Sequence, residues 1–217
     1  MTREDYQPWS ESPERLERTP DEMRKVCGRT IAFILALGKN ADGGIPDIVC
    51  ALTQAKQARV AAAIVLAAPA LADVAIEATR NAGRKGNTLV QALEYDPEAA
   101  IPLTREAGNF ELMGLPYGLL ATVHAVAEGL HDDYNAVLVM DAAHDRITAD
   151  HVYELCFDAR EHPDAEVIAS LTKLIRCTPC WISRSFLDRL DSRDPALIDV
   201  YAAHQTPEIC MRDRQLD

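Results

Sequence analysis

The chain has 217 residues, of which 48% are hydrophobic, and this is enough for one α/β domain with a sizeable core. Acidic residues outnumber basic ones by 34 to 22, so the formal net charge is −12. This balance argues against nucleic acid or an anionic membrane surface as a partner. No apolar run reaches the roughly 20 residues that a membrane span needs.

Cysteine usage and the first residues predict a cytoplasmic protein. The N-terminus lacks a basic segment followed by an apolar core, so we expect no signal peptide. Six cysteines are scattered in apolar or helical contexts, and we expect them to be reduced thiols. They are Cys27, Cys50, Cys156, Cys177, Cys180 and Cys210.

The stretch from Thr30 to Asp47 predicts a strand, a loop and the start of a helix. Ile31 to Leu35 is an apolar run, and a loop with glycines spans Gly38 to Gly44. Such a plan can hold a phosphate, because glycines let backbone N–H groups approach and a helix N-terminus carries a positive dipole. The loop matches neither G-x-G-x-x-G nor G-x-x-x-x-G-K-[ST].

The remaining elements alternate between helix and strand. We expect helices at Pro20 to Val26, Ile48 to Gln57, Leu71 to Asn81, Leu119 to Gly129 and from a Thr148 cap to His162. We expect strands at Ala61 to Ala67, Thr88 to Leu93, Ala136 to Met140, Glu166 to Ser170 and around Cys177 to Cys180, and a loop-rich connection from Tyr95 to Leu112. This order predicts a three-layer, Rossmann-like fold with a mostly parallel twisted sheet and helices on both faces. Ligands of such sheets bind beyond the carboxyl ends of the strands.

The first loop resembles the L-A-A-G-x-S-x-R-M-G-x-P-K signature of MobA/MocA-like nucleotidyltransferases, which attach a nucleotide to molybdopterin. The matching residues are Leu35, Ala36, Gly38, Lys39, Gly44 and Pro46. The family's arginine falls at Asp42 and its lysine at Asp47, and the resemblance implies that those cations hold the triphosphate. Two carboxylates at these positions would repel a triphosphate.

Three later segments also resemble the family. Asn109 and Gly114 fit its outline before a helix, and Thr178 precedes the matching Pro179, so the resemblance places Asn109, Gly114 and Thr178 in the crevice. Ala203 to Ile209, AHQTPEI, resembles D-I-D-T-P-E-D. The second metal-binding aspartate of that motif falls at Gln205, and an amide is a poor Mg²⁺ ligand.

The segment DAAHDRITADH resembles the family's G-D-Q-P-x-x-T-x-x-H. Aligned without gaps from Thr148, the metal-binding aspartate falls at Ala143, with Asp141 two residues earlier and Asp145 at the proline. Asp141 or Asp145 could hold Mg²⁺ instead, since this ion needs one or two carboxylates plus phosphate and water. Both could equally be loop carboxylates without a ligand, and His144 adds the weaker alternative of a transition-metal site.

Two other groups are expected to be structural. Cys177-x-x-Cys180 lacks a second such pair or nearby histidines, which favours plain thiols over a zinc or redox site. His124 is expected to be a helix-surface or packed residue rather than a ligand.

The sequence divides into a polar arm with a short helix, residues 1–29, and one MobA-like domain, residues 30–217. Because the family's phosphate-binding cations and metal-binding aspartates are replaced in this sequence, we expect a non-catalytic binding or assembly partner. The alternative is an active, Mg²⁺-dependent molybdopterin cytidylyl- or guanylyltransferase with relocated ligands, and a third is a module for a neutral or cationic ligand. Expected partners are a nucleotide or pterin-type molecule, a protein partner or a second copy of the chain; catalytic residues stay unassigned.

Overall fold

The computed structural model describes residues 18–39, 43–83, 88–107, 110–143, 147–172 and 175–192. Asp42, Asn109, Asp145 and Gln205 lie outside these ranges. The sequence hypotheses about these four side chains therefore remain predictions.

The described residues form the following elements. The helices are α1 Pro20–Cys27, α2 Ile48–Gln57, α3 Ala72–Gly83, α4 Ile101–Glu106, α5 Tyr117–Leu130, α6 Ala149–Glu161 and α7 Arg184–Asp191. The strands are β1 Thr30–Ala36, β2 Ala62–Ala67, β3 Leu89–Glu94, β4 Glu111–Leu112, β5 Leu115–Pro116, β6 Ala136–Asp141, β7 Val167–Thr172 and β8 Ile175–Ser183. None of the helices in the described ranges is long and apolar enough to cross a membrane.

A six-stranded sheet in the order β3-β2-β1-β6-β8-β7 forms the centre of the fold. The first four strands of this order run parallel, whereas β8 is antiparallel to both β6 and β7. The expected fold class, a mostly parallel Rossmann-like sheet between helices, is confirmed. The reversed direction of β8 matters for the site, because it brings the beginning of β8 to the edge where the parallel strands end.

Strand β1 shows why the fold has three layers. Its residues Ile31, Phe33 and Leu35 belong to one buried cluster, which α5 and α7 cover, while Ala32 and Ile34 belong to a second cluster, which α2, α3 and α6 cover. A strand with helices on both faces buries every side chain, so its sequence is continuously apolar rather than alternating.

Residues that cap or end a helix predicted the bounds of several elements well. Helix α2 has the predicted bounds, and Thr19 and Thr148 cap α1 and α6 through their side-chain oxygens, as expected from their positions. Other expectations were wrong in detail. The connection after Tyr95 contains the short helix α4, which has no side-chain cap. Helix α5 begins at Tyr117, two residues before the expected Leu119, and continues one residue beyond Gly129 to Leu130.

The described part of the arm lies against the domain rather than apart from it. Helix α1 packs on α6, and Arg18 donates to Asp150 at 3.1 Å and to Glu154 at 2.9 Å. The Arg18 guanidinium also lies 4.2 Å from the centre of the Tyr153 ring. These contacts attach the arm to the helix layer on one face of the sheet.

Candidate functional site

A cleft of about 360 Å³ opens at the carboxyl edge of the parallel strands. Residues that follow or end β1, β3 and β6 form its floor, and the β4–β5 hairpin, the start of α5 and the start of β8 form its walls. Its lining consists of Leu35, Leu37, Tyr95, Pro97, Met113, Gly114, Leu115, Pro116, Leu119, Asp141, Cys177 and Thr178. This is the edge at which such sheets bind ligands.

Asp141 supplies the only carboxylate among the described residues that line the cleft. It is the last residue of β6, lies opposite Leu35 of β1 in the sheet, and is half-buried. Its Oδ1 accepts a hydrogen bond from the Ala143 N–H at 2.9 Å. The gap-free motif alignment pointed to Ala143, but the strand ends two residues earlier and places the carboxylate of Asp141 at the cleft.

Asp47 has a different role from the one expected of a cleft residue. Its Oδ1 accepts from the Cys50 N–H at 2.8 Å and thereby caps α2, and its own N–H donates to the Ala142 carbonyl oxygen at 3.2 Å. Asp47 is exposed and is not part of the cleft lining. Its charge therefore interacts with the N-terminal dipole of α2.

The other residues of the proposed nucleotide-binding loop divide between the core and the surface. Leu35 lines the cleft, whereas Ala36 is buried on the opposite face of β1. Gly38 and Lys39 are exposed and Gly44 is half-exposed, and none of the three lines the cleft. The structure therefore brings Leu35 to the cleft and leaves the described polar part of the loop outside its lining.

The hairpin wall contains a turn with unusual backbone angles. Met113 and Gly114 connect β4 to β5 with φ values of 53° and 76°. Positive φ at both central residues is the pattern of a type I′ turn, which matches the twist of hairpin strands. Glycine adopts it freely, while methionine is uncommon there. Gly114, a predicted crevice residue, thus lines the cleft as part of this turn.

The beginning of β8 forms the opposite wall. Thr178, the second predicted crevice residue within the described ranges, is 8% exposed and lines the cleft next to the half-buried Cys177. Cys180 is fully buried, and burial raises the pKa of its thiol to about 12. Both cysteines are unlinked thiols, and neither belongs to a metal-binding group among the described residues.

Tyr95 is a cleft residue that the sequence did not single out. It follows β3 directly, is 5% exposed, and burial raises the pKa of its phenol above the ordinary value. Its position immediately after a strand end was the available signal, because such positions converge on one edge. No lysine or arginine in the described ranges joins the lining, which is otherwise largely apolar.

Comparisons with known proteins identify the fold. No family model matches the chain, and no curated protein matches it in sequence. Among solved structures, it is similar to 4-diphosphocytidyl-2C-methyl-D-erythritol synthase from Anaerococcus prevotii, with 10% identity over 89% of this chain and 88% of that one and a TM-score of 0.55.

Two further structures were solved with nucleotides. A CMP:2-keto-3-deoxy-manno-octonic acid synthetase in complex with CTP matches with 13% identity, 86% and 89% coverage and a TM-score of 0.53. Glucosyl-3-phosphoglycerate synthase from Mycobacterium tuberculosis, solved with Mn²⁺, uridine diphosphate and glucosyl-3-phosphoglycerate, matches with 15% identity, 94% and 76% coverage and a TM-score of 0.55. The chain therefore has the fold of nucleotidyltransferases and nucleotide-diphospho-sugar transferases.

Proposed function

We propose that this protein binds a nucleoside triphosphate, as its complex with a divalent cation, in the cleft at the carboxyl edge of the sheet. The observation that carries the proposal is the position of Asp141, a half-buried carboxylate at the end of a central strand and inside the cleft. The nucleotides present in two structures of the same fold support this class of ligand.

The residues present fit a hard divalent cation such as Mg²⁺. This ion commonly takes one or two carboxylates from the protein and completes its coordination with phosphate oxygens and water. Asp141 would provide the carboxylate, and its hydrogen bond from the Ala143 N–H orients it. When bound, the cation would neutralise phosphate charge, which matters for a ligand approaching a chain with a net charge of −12.

The reaction that this arrangement supports is nucleotidyl transfer. An acceptor oxygen attacks the α-phosphorus, the bond between the α-phosphorus and the oxygen that bridges it to the β-phosphorus breaks, and pyrophosphate leaves. An acceptor hydroxyl gives up its proton to solvent in this step. The apolar walls that Tyr95, Met113 and Leu119 contribute would exclude water from the nucleotide. Resemblance of the first loop to the MobA/MocA-like signature favours a molybdopterin-type acceptor within this reaction class.

Asp47 is less of an obstacle to this function than its place in the motif suggested. A carboxylate aimed into a phosphate site would repel the ligand, but the Asp47 side chain caps α2 from the surface. Asp141 likewise offers a carboxylate close to the motif position that Ala143 occupies. Of the four motif positions at which a family cation or carboxylate is replaced, those at Asp47 and Ala143 are therefore compatible with binding.

A second candidate is a protein that binds the nucleotide without transferring it. The observation that favours it is the lack of lysine and arginine in the described part of the cleft lining. Transfer requires stabilisation of the charge that develops on the transferring phosphate and the leaving pyrophosphate, and cationic side chains usually supply part of it. Binding of the nucleotide through a metal ion alone needs less stabilisation of charge by the protein.

Titration calorimetry with CTP, GTP, ATP and UTP, each with Mg²⁺ or Mn²⁺, tests the proposal. We expect at least one nucleotide to bind, and Asp141→Asn to weaken it by about tenfold or more, the loss typical of a damaged metal site. Asp164→Asn is the control, since it also removes one carboxylate but lies in the turn before β7, at the opposite edge of the sheet.

The outcomes separate the candidates. An absence of heat with every nucleotide at millimolar concentration, or equal affinity of Asp141→Asn and the wild type, would overturn metal-nucleotide binding at this cleft. Release of pyrophosphate on adding a pterin or sugar acceptor, lost in Asp141→Asn, would establish transfer. Binding without release under the same conditions would favour the non-catalytic candidate.

A further inference from the structure

A second cluster of potential ligands lies away from the cleft, between α5 and α7. His124 and Glu128 are one turn apart on α5 and therefore share a face of this helix, and Asp188 of α7 lies opposite them. One ligand atom from each of these three residues can be chosen so that all lie within 4.8 Å of one another. Leu119 of α5 lines the cleft, and Glu128 is about 14 Å further along the helix axis.

The imidazole of His124 is held in a fixed orientation. It is 5% exposed, its Nδ1 lies 2.8 Å from the Tyr134 hydroxyl oxygen, and its Nε2 lies 3.3 Å from Asp188 Oδ1. Tyr134 is also buried, so this hydrogen-bond partner has a fixed position beside the imidazole. Metal-binding histidines commonly have their second ring nitrogen fixed by such a partner.

The Tyr134 hydroxyl is compatible with either tautomer of His124. It can donate to Nδ1, or it can accept a hydrogen bond from a protonated Nδ1. In the second case Nε2 carries no proton and presents its lone pair to Glu128 and Asp188. A cation can bind Nε2 directly in this second tautomer, whereas the first tautomer must move its proton from Nε2 to Nδ1 before a cation binds.

The two carboxylates can adjust their positions around this fixed nitrogen. The side chains of Glu128 and Asp188 are each 50% exposed. Metal–ligand bonds of about 2.0–2.2 Å require ligand atoms closer together than the 4.8 Å limit of the cluster, so these side chains must turn inward. Rotation of exposed carboxylates is a small change compared with moving buried ones.

Arg184 contacts the same carboxylates but has anchors of its own. It lies 3.4 Å from Glu128 Oε1 and 3.8 Å from Asp188 Oδ1, which are long ion pairs. Its Nη1 donates to the Asp132 carbonyl oxygen at 2.6 Å, and its guanidinium lies 4.9 Å from the centre of the Tyr134 ring. The carboxylates can therefore turn towards a metal while Arg184 stays in place, although its positive charge lowers the affinity.

We propose that His124, Glu128 and Asp188 form a site for a borderline divalent transition metal, with Zn²⁺ as the expected occupant. One imidazole nitrogen and two carboxylate oxygens are a ligand set that Zn²⁺ accepts, and water completes the tetrahedron. Mg²⁺ prefers oxygen ligands throughout and binds here weakly. The site links α5 to α7 and is separate from the nucleotide cleft.

The test is titration of the full chain with Zn²⁺ in the absence of nucleotide, with its accessible cysteines alkylated beforehand. We expect one Zn²⁺ per chain, and Glu128→Gln or Asp188→Asn to weaken binding at least about tenfold, while Mg²⁺ produces no comparable heat. Glu161→Gln, at the exposed end of α6, is the matched control and keeps wild-type affinity. Arg184→Gln binds Zn²⁺ more tightly than the wild type, because a competing cation is removed.

Thermal unfolding provides a second readout, which separates metal binding from a purely structural role. With EDTA, Glu128→Gln and the wild type unfold at the same temperature; with Zn²⁺, only the wild type is stabilised. Wild-type affinity in both carboxylate variants, or no Zn²⁺ binding by the wild type, would overturn the site. Neither result would affect nucleotide binding at Asp141, because the two sites share no residue.

Discussion

Asp141 and Asp47 show how neighbouring atoms decide what a carboxylate does. Both lie at the carboxyl edge of the sheet, and the Asp47 N–H even donates to the carbonyl of Ala142, the residue after Asp141. Asp47 nevertheless turns towards the first turn of α2, whereas Asp141 faces the cleft. Charge alone is a poor guide to function unless the competing hydrogen-bond donors are also considered.

The buried thiols give a prediction at the residue scale. The pKa of Cys180 is raised to about 12 by burial, so at pH 8 only about one thiol in 10⁴ is ionised. The thiolate is the reactive form, and we expect iodoacetamide at pH 8 to leave Cys180 unmodified in the folded chain while the half-exposed Cys50 reacts. Peptide mass spectrometry after labelling checks this result.

Denaturation is the control for this labelling experiment. In urea, the Cys180 thiol regains an ordinary pKa and should then react with iodoacetamide. Because the folded-state pKa of Cys180 exceeds the unfolded one, its contribution to stability is complete below the ordinary thiol range and is lost as the pH rises towards 12. Rapid modification of Cys180 in the native protein would show that β8 opens in solution.

Elements with local end signals could be predicted from the sequence. Thr19 and Thr148 are caps that satisfy backbone donors of their own helices, and the run AAAIVLA before α3 is long enough for a buried strand. Helix α4 was missed because it is six residues long and has no side-chain cap. The reversed direction of β8 was also beyond prediction, since an apolar run has no polarity.

The site was less predictable than the fold. The motif alignment predicts the metal-binding carboxylate at Ala143. Strand β6, however, ends at Asp141, and this residue reaches the cleft. The motif predicts a cation at the position of Asp47, although an aspartate immediately before a helix is itself a capping signal. Tyr95 carried no motif, and its place in the cleft depends on the pairing of β3 with β2.

The cap at α2 gives a prediction at the element scale. Asp47→Ala removes the acceptor of the Cys50 N–H and should lower the free energy of unfolding by about 1 kcal/mol, while Asp47→Ser keeps a capping oxygen and should lose only a few tenths. Urea unfolding followed by circular dichroism measures both values. Equal losses in the two variants would mean that Asp47 stabilises the fold through its charge rather than as a cap.

The acidic surface gives a prediction for the whole molecule. A formal charge of −12 destabilises the compact state through self-repulsion, and salt screens this repulsion. Raising NaCl from about 0.02 M to about 0.5 M should therefore increase the melting temperature by about 2–4 °C, the shift that about 1 kcal/mol produces in a chain of this size. Scanning calorimetry without divalent cations measures this shift.

A charge-reversal variant is the control for this salt effect. Glu161→Lys lies at the exposed end of α6 and reduces the net negative charge by two. It should melt at a higher temperature than the wild type at low salt and respond less to NaCl. A melting temperature that falls with NaCl would show that favourable surface ion pairs, such as those of Arg18, outweigh the general repulsion.

The hairpin turn at Met113 and Gly114 has one more consequence for the molecule. Its outline comes from positive main-chain angles at both central residues, and the Met113 side chain also packs against the buried cluster on this face of the sheet. A substitution at position 113 therefore changes both the surface offered to a visiting molecule and the packing beneath it. Ligand preference and architectural integrity are consequently coupled on this side of the opening.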